Sequence, residues 1–361
     1  MAKQRDPVLD SMRGIGIVLM VLGHAGFPGS SFIYLFHMAL FFMLSGWFFS
    51  PHTGESAHRL ARFAKRKVVT LWLPFVAANT VYTLLTNLFL KVNILTGEER
   101  ILDLPGNLVT TPVTIKDIIG RTAHWSVFDG GTQLGGAMWF IQALFQVSLL
   151  YASVEFLLKK LLRSGDTLIP QGLLAGVLLW LGWQAQRIGW NVWGLGIAAS
   201  CYCLFYLGVV LHRVQHPHGP ARGALCCAGA FVVLLVLGQF GSVGLAGNSY
   251  PGPLYLLAAS LAGWMLVYEG AHLLARVPAV SGAFSALGRA TMPIVILHFL
   301  AFKPVTWLGL LATGGESYLL AAFPIYFTGG AWWVAYTAAG LALPLLAYAV
   351  WVRLKKAVRR G

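Results

Sequence analysis

Two ionisable side chains, Arg13 and His24, stand inside the first apolar segment of the chain. Because ionisable groups are costly in hydrocarbon, a residue of this kind normally faces a protein interior or a water-filled cavity and is a functional candidate. Eleven residues of α-helix make three full turns plus about 20° and rise ~16 Å. The spacing therefore predicts that both side chains share one face of a helix, at two depths.

The chemistry of these two side chains points to group transfer. A neutral imidazole can take a proton from an alcohol that attacks a carbonyl and can later return a proton to the leaving group. A buried guanidinium can hold phosphates or a carboxylate. Together they predict a transferase whose donor enters from one side while its acceptor arrives from the other. The alternative is structural: His24 lines a helix interface, and Arg13 extends to cytoplasmic lipid headgroups beside Asp10.

The composition is that of a membrane protein. Of 361 residues, 57% are hydrophobic and 11% are charged, which is too little polar sequence to cover a soluble globule of this length. The net charge of +14 does not indicate nucleic-acid binding, because most Lys and Arg residues lie in short loops between apolar runs, where they set topology. The four cysteines have no His or Cys neighbours at zinc-ligand spacing, so no metal site is expected.

Apolar runs long enough to cross ~30 Å of hydrocarbon predict an all-α, polytopic integral membrane protein with about ten transmembrane helices. The runs begin near Val8, Phe32, Val68, Ala137, Leu168, Val192, Gly223, Gly252, Ala290 and Ala331. Twenty Lys and Arg residues fall at the termini and the even-numbered junctions, and six fall at the odd-numbered junctions. Cytoplasmic loops carry the excess of such residues, so both termini and the basic segment 59–67 are predicted to be cytoplasmic.

We expect a single transmembrane domain over residues 1–361, with two structural halves as the alternative. Its longest outer loop covers approximately residues 91–136, lacks strong helix or strand signals, and ends in Gly-Gly-Thr-Gln-Leu-Gly-Gly. Loops of this length are often lids or binding loops. The other interpretation is a flexible spacer.

A second histidine, His37, is predicted to lie close to His24. The segment between the first two helices is short and holds Pro28 and two glycines, which predicts a tight hairpin and adjacent helices. Because the second helix returns from the outer side, His37 in its first turns would reach a depth similar to that of His24. Both imidazoles would then face one pocket.

Arg13, ten intervening residues and His24 resemble the arginine-to-histidine motif of the acyltransferase-3 superfamily, whose members are membrane proteins that O-acylate sugars, usually with acetyl-CoA as donor. Six motifs are similar to its fucose 4-O-acetylase-like branch, which includes exopolysaccharide (xanthan-type) O-acetyltransferases. They are Asp10-x-x-Arg13, Gly23-His24, Phe36-His37-Met38, residues 41–47, Met138-Trp139-Phe140 and residues 287–298. The resemblance runs nearly end to end, and ten helices with cytoplasmic termini match the core of the superfamily.

The resemblance implies roles for three residues of the first helix. His24 would be the catalytic base or the residue that handles the acyl group. Arg13 would bind or position acetyl-CoA, with Asp10 orienting it. The basic segment 59–67 would add phosphate contacts for the nucleotide of CoA, although topology alone also explains its charge.

Four further residues are expected on the acceptor side. His37 and His298 would shape the acceptor pocket, with packing or interfacial histidines as the alternative. Trp139 would stack on a sugar, unless it belongs to the aromatic belt at the membrane interface. Lys303 would contact an anionic or hydroxylated acceptor.

The residues and the resemblance together predict an O-acetyltransferase of the bacterial inner membrane. It would take acetyl-CoA from the cytoplasm and acetylate a hydroxyl group of an exopolysaccharide or its lipid-linked precursor, surrounded by membrane lipids. Direct transfer with His24 as base and a route through a transient acetyl-histidine are both open. The alternative function is a transporter or flippase for a lipid-linked saccharide, in which Arg13, His24 and His37 form a proton relay and a headgroup site.

Overall fold

The computed structural model describes residues 6–162 and 166–358. Of these described residues 79% are helical, and they form no strand, with one isolated antiparallel bridge between Gly244 and Ser249. The predicted all-α fold is confirmed. Some basic residues behind the predicted topology lie outside the described residues, namely Lys3, Arg5, Arg163, Arg359 and Arg360.

Fifteen α-helices occur in these two ranges. They are α1 (Pro7–His24), α2 (Ser30–Tyr34), α3 (His37–Trp47), α4 (Ala57–Lys67), α5 (Leu73–Leu84), α6 (Thr86–Lys91), α7 (Ile115–Ser126), α8 (Trp139–Leu162), α9 (Leu168–Arg187), α10 (Leu195–Val214), α11 (Pro220–Phe240), α12 (Pro253–Leu274), α13 (Pro278–Arg289), α14 (Thr291–Thr313) and α15 (Trp332–Val358). Helices dominate because a helix pairs its backbone polar groups within one segment, as hydrocarbon requires.

Nine helical segments of the described chain are long and apolar enough to cross a membrane. They are Pro7–His24, Ser30–Trp47, Gln133–Leu162, Leu168–Arg187, Val192–Val214, Pro220–Phe240, Pro253–Leu274, Thr291–Thr313 and Trp332–Ala357. Each corresponds to one of the ten predicted runs. The protein is therefore a multi-pass membrane protein.

The predicted run at Val68 is absent from these nine segments, and it is interrupted, as is the run near Phe32 between α2 and α3. The helical path from Val68 consists of a π-helical turn at Val68–Trp72, then α5 and α6, with a break at Leu85. Pro74 has no amide hydrogen to bond the carbonyl four residues earlier, so a regular α-helical ladder cannot continue through this point. The tenth run is helical, but it is interrupted.

The chain forms two compact units. The first contains the described residues within Met1–Gly16, Ser31–Phe75 and Trp139–Ser285. Its most extensively packed helix pairs are α9 with α10, α11 with α12 and α3 with α10. Gly46 of α3 and Gly208 of α10 allow the last of these pairs, because a Cβ at either position would overlap a backbone carbonyl of the other helix. Small residues let membrane helices approach in this way.

The second unit contains the described residues within Ile17–Ser30, Val76–Met138 and Ala286–Gly361. Its core is the pair α14 and α15, where the fully buried hydroxyls of Thr306 and Tyr336 lie 2.9 Å apart and share a hydrogen bond. Each unit draws on three separate stretches of sequence, so no single cut in the chain separates them. The single domain over residues 1–361 stays a prediction.

Candidate functional site

Helix α1 carries both residues of the predicted motif. Pro7 occupies its first position, where the missing amide hydrogen breaks no helical bond. The helix ends at His24, and two residues later Gly26 turns the chain with a left-handed φ of +77°. The helix is unbroken between these ends, so Arg13 and His24 stand on one helix with the expected separation along its axis.

The Arg13 guanidinium lies between a carboxylate and an aromatic ring. Its Nη1 donates to Oδ1 of Asp10 at 3.1 Å, and its Cζ lies 4.4 Å from the centroid of the Phe48 ring. Asp10 is buried, whereas the Arg13 side chain is 36% exposed. These contacts fix the guanidinium while part of it stays accessible to a ligand. The expected pairing of Asp10 with Arg13 is present, and the role of the pair stays a prediction.

A basic cavity of about 510 Å³ lies in the first unit, along α4. Its lining residues are Ser50, His52, Thr53, Ser56, His58, Arg59, Arg62, Phe63 and Arg66. The three arginines follow one another at spacings of three and four residues, which places them on one face of α4. Three guanidinium groups on one face form a site that suits phosphate groups.

Lys67, the last residue of α4, extends the positive charge beyond this cavity. Its Nζ lies 5.2 Å from the centroid of the Phe63 ring. Burial, together with smaller effects of the charges on Arg66 and Arg13, lowers the pKa of Lys67 to about 8. The charge of this side chain therefore changes within the range of pH in which enzymes work.

His24 packs against a second histidine, His298 of α14. The ring centroids are 5.4 Å apart and the ring planes differ by 29°. The Phe299 ring adjoins both imidazoles, with its centroid 4.9 Å from that of His24 and 4.0 Å from that of His298. The structure brings His298 beside His24, a neighbour that the sequence analysis did not suggest, and the expected approach of His37 stays a prediction.

The two ring nitrogens of His298 differ in their bonding. Nδ1 lies 2.9 Å from the Ile294 carbonyl oxygen and 3.1 Å from the Val295 carbonyl oxygen. A carbonyl only accepts, so Nδ1 carries the hydrogen, and in the neutral ring Nε2 carries the lone pair. The His298 side chain is fully buried, and Nε2 has no hydrogen-bond partner among residues 6–162 and 166–358. This atom is a fixed hydrogen-bond acceptor beside His24.

His37 and Trp139 both lie in the first unit. Buried His37 begins α3, where Nδ1 donates to the Ile33 carbonyl at 3.0 Å and the ring lies 5.3 Å from that of Tyr34. Half-buried Trp139 begins α8, and its ring meets the Phe140 ring edge-on at 6.3 Å. The acceptor-side roles of both residues stay predictions.

Lys303 is buried in α14 and bonds only backbone among its described partners. Its Nζ donates to three consecutive carbonyls, those of Leu320 at 3.0 Å, Ala321 at 3.1 Å and Ala322 at 2.8 Å. An ammonium group has three N–H donors, and all three are used here. These bonds give Lys303 a structural role that the sequence analysis did not consider, and its contact with an acceptor stays a prediction.

The predicted outer loop contains a helix that the sequence analysis missed. Thr114 and Asp117 form a capping box at the start of α7, in which Oδ2 of Asp117 accepts from the Thr114 amide at 2.8 Å and the Thr114 hydroxyl accepts from the Asp117 amide at 3.3 Å. The Thr-x-x-Asp pattern was the available signal. The segment is therefore folded in part and is not a simple spacer.

Asn79 of α5 holds the glycine-rich end of this loop. Its Oδ1 accepts hydrogen bonds from the amide and the hydroxyl of Thr132, both at 2.9 Å. A Cβ at Gly135 would lie 2.7 Å from that oxygen, so glycine is required for the close approach. A buried amide in an apolar segment needs a partner, and Asn79 was the residue that could have predicted this contact.

Comparison with protein families identifies the chain. The acyltransferase-3 family model, described as an acyltransferase domain, matches residues 6–350. Comparisons with curated proteins and with solved structures give no match. The family match covers nearly the whole chain and agrees with the multi-pass helical fold. The protein is a membrane acyltransferase that belongs to the acyltransferase-3 family.

Proposed function

We propose that the protein transfers an acetyl group from acetyl-CoA to a sugar hydroxyl group of a bacterial exopolysaccharide or its lipid-linked precursor, in the inner membrane. The observation that carries the proposal is the imidazole pair of His24 and His298. It combines a half-buried histidine at a helix end with a buried histidine whose tautomer is fixed and whose Nε2 accepts a hydrogen bond. A sugar with several hydroxyl groups supplies both a proton for the base and a separate donor for such an acceptor.

In the proposed reaction His24 is the general base. It takes the proton of the acceptor O–H as the oxygen forms a bond to the thioester carbonyl carbon. The C–S bond then breaks, and the CoA thiolate recovers the proton from the His24 imidazolium. General acid–base catalysis of this kind contributes roughly 10²–10⁴-fold to a rate. His298 accepts a hydrogen bond through Nε2 from a neighbouring hydroxyl of the acceptor sugar, and the acceptor roles of His37, Trp139 and Lys303 belong to the same proposal.

We assign the binding of the acyl donor, acetyl-CoA, to positively charged side chains of the first unit. Arg13, oriented by Asp10, binds a phosphate or carbonyl oxygen of acetyl-CoA. The arginines of the basic cavity bind the phosphates of its nucleotide end, because a bidentate guanidinium matches phosphate geometry. The charge distribution of the loops supports entry of this donor from the cytoplasm.

The test is acetyl transfer by purified protein in proteoliposomes, with labelled acetyl-CoA and a panel of lipid-linked oligosaccharides. We expect His24→Ala to lower the transfer rate by about 10²-fold or more. His124→Ala is the matched control, because His124 is an exposed histidine paired with Asp129 in the outer segment, and it should keep the wild-type rate.

Two outcomes would contradict the proposal. Equal transfer rates for His24→Ala and the wild type would remove His24 as the base. An acceptor that crosses the membrane without gaining an acetyl group, in the absence of any transfer, would favour the transport alternative. Labelling of the wild type without acceptor separates the two chemical routes, since direct transfer leaves no acetyl group on the protein.

A further inference from the structure

A cavity of about 200 Å³ lies in the outer segment of the second unit. We call it the outer pocket and define it by Tyr82, Thr86, Arg121, Trp125, Thr132 and Gln133, which are among its lining residues. Pockets for drug-sized ligands measure roughly 300–1,000 Å³. The outer pocket is smaller and therefore suits one compact group, such as a single sugar ring.

The aromatic walls of the outer pocket are held in place through their polar atoms. The Tyr82 hydroxyl donates to the Ile296 carbonyl at 2.6 Å, and Nε1 of Trp125 donates to the Thr83 hydroxyl at 3.3 Å. Both side chains are buried. Because their polar atoms are bonded to the framework, the two rings offer apolar surface to a ligand, as the C–H face of a sugar ring requires.

Two nitrogen donors of the outer pocket are not used by the described protein. Arg121 is half-buried, and its guanidinium makes no hydrogen bond or ion pair with any residue that the structure describes. Nε2 of Gln133 is buried and likewise has no partner in the described ranges. Buried donors normally find acceptors, so these groups call for a ligand rich in oxygen.

The charge of the outer pocket is positive. Its described lining contains Arg121 and no Asp or Glu. The acidic residue one turn earlier on α7, Asp117, is bonded to Thr114 at the start of the helix, and these hydrogen bonds are the main cause that holds the pKa of Asp117 below its usual range. The Asp117 carboxylate also feels the charge of Arg121, but the two form no ion pair among the described residues, so the guanidinium can bind an oxyanion through two parallel N–H bonds.

We propose that the outer pocket binds an anionic sugar unit of the acceptor. The ring lies against Trp125 and Tyr82, and a carboxylate or phosphate on the sugar accepts hydrogen bonds from Arg121 and Gln133. The identification of this ligand as the acceptor rests on the proposed function, whereas the binding of an anionic sugar does not. A uronic acid carboxylate and a sugar phosphate share this chemistry.

The test is equilibrium dialysis of the full-length protein in detergent with three labelled probes: methyl glucuronoside, glucose 6-phosphate and neutral methyl glucoside. We expect the wild type to bind an anionic probe at least about tenfold more tightly than the neutral one. Arg121→Gln should remove that preference. Lys116→Gln is the matched control, because it removes the same charge from an exposed position of α7 that does not line the outer pocket.

The preferred anion identifies the source of the charge, since carboxylate and phosphate are carried by different probes. Arg121→Lys keeps the charge without the planar guanidinium and should bind the anionic probe with intermediate affinity. This variant also tests the inference if Arg121→Gln does not fold. Wild-type affinity in both Arg121 variants, equal affinity for all three probes, or no binding by the wild type would each overturn the inference. If the protein transfers acetyl groups but binds no anionic probe, the inference about the outer pocket is wrong and the proposed function is retained. Anion binding without any acetyl transfer overturns the proposed function and leaves the binding site established.

Discussion

His298 divides its two ring nitrogens between the protein and the proposed acceptor, and side-chain amides can imitate each nitrogen separately. Asparagine can keep a donor near the position of Nδ1 but has no atom at Nε2. Glutamine can place an acceptor oxygen near Nε2 but loses the short-range donor to Ile294. The two variants therefore separate a packing role from a binding role.

We predict that His298→Asn raises the KM for the acceptor by about fivefold, the equivalent of one neutral hydrogen bond of ~1 kcal/mol. His298→Gln should stay closer to the wild type, and the KM for acetyl-CoA should change in neither variant. Steady-state kinetics with both substrates varied would check this. If His298→Asn instead keeps a KM for the acceptor near that of the wild type and His298→Gln raises it, His298 has a role in helix packing and not in acceptor binding.

Lys67, which ends the basic segment 59–67 beside the cavity, is expected to give the proposed donor site a pH dependence. Its pKa is lowered to about 8, so the side chain is charged at pH 7 and neutral at pH 9. The phosphate groups of acetyl-CoA are fully ionised throughout this range, because their last pKa is near 6. We predict that the Kd for acetyl-CoA rises by roughly tenfold between pH 7 and pH 9, as a charged contact of ~1.4 kcal/mol is lost.

Titration calorimetry at a series of pH values is the measurement, with Lys67→Arg as the control. Arginine stays charged at pH 9, so this variant should bind with a nearly constant Kd. A wild-type Kd that does not change with pH would remove Lys67 from the donor site. A dependence that persists in Lys67→Arg would assign it to another group.

At the residue scale, the sequence predicted contacts between near neighbours better than contacts between distant ones. The pair of Asp10 and Arg13 follows from helical spacing, since residues three apart share a face. The pairing of His24 with His298 needed the packing of α1 beside α14, which spacing does not provide. The environment of Lys303 depends on a segment near Leu320 whose backbone path no local pattern specifies.

Close contact between α3 and α10 depends on two glycines that face each other's backbone. A Cβ at Gly208 would overlap the Met43 carbonyl, and a Cβ at Gly46 would overlap the Phe205 carbonyl. Either the helices must separate or the substitution must be accommodated by backbone shifts. Overpacking of this kind costs typically ~1–3 kcal/mol.

We predict that Gly208→Ala lowers the stability of the folded protein by about 1–3 kcal/mol, seen as a lower midpoint of thermal unfolding in detergent. Gly176→Ala in α9 is the matched control, because a Cβ there meets nothing within 4 Å. Alanine is the better helix former, so this variant should unfold at the same temperature as the wild type or higher. Equal unfolding midpoints for both variants would show that α3 and α10 can move apart without loss of stability.

The hydropathy pattern predicted the long helices, but it did not predict the features that depend on local hydrogen bonding, namely the interruption of the run at Val68 and helix α7. Nine predicted runs are helical segments of spanning length in the described ranges, because length and apolar composition suffice to specify a helix in hydrocarbon. The run at Val68 is broken by effects of Pro74 and of the turn at Leu85, which an averaged hydropathy does not register. Helix α7 was missed for the opposite reason, since its signal is a capping pair and not an apolar stripe.

For the whole molecule, the distribution of basic residues makes a prediction about sidedness. Acetyl-CoA does not cross a bilayer, and the basic cavity lies in a segment predicted to be cytoplasmic. We predict that inverted membrane vesicles, with the cytoplasmic face outward, transfer acetyl groups from added acetyl-CoA, whereas right-side-out vesicles do not. The labelled product is counted in both preparations.

Detergent provides the control for that experiment, since opening right-side-out vesicles should restore transfer to the level of inverted ones. Transfer by sealed right-side-out vesicles would contradict the orientation assigned to residues 59–67. It would not contradict the assignment of the protein as a multi-pass membrane protein, because that assignment follows from composition and from the apolar helical segments.

Composition alone predicted that the protein is a membrane protein, whereas the grouping of the chain into two interleaved units depends on contacts between segments far apart in sequence.

The three backbone bonds of Lys303 also determine how this side chain reacts. A lysine becomes a nucleophile only when its nitrogen has an unshared electron pair, and a group that donates three hydrogen bonds has none to offer. In a protein that handles activated acyl groups, a buried amine would otherwise compete with the alcohol for the acyl carbon. The three bonds to the carbonyls of Leu320, Ala321 and Ala322 match the ammonium form of Lys303, which has no electron pair to attack an acyl carbon.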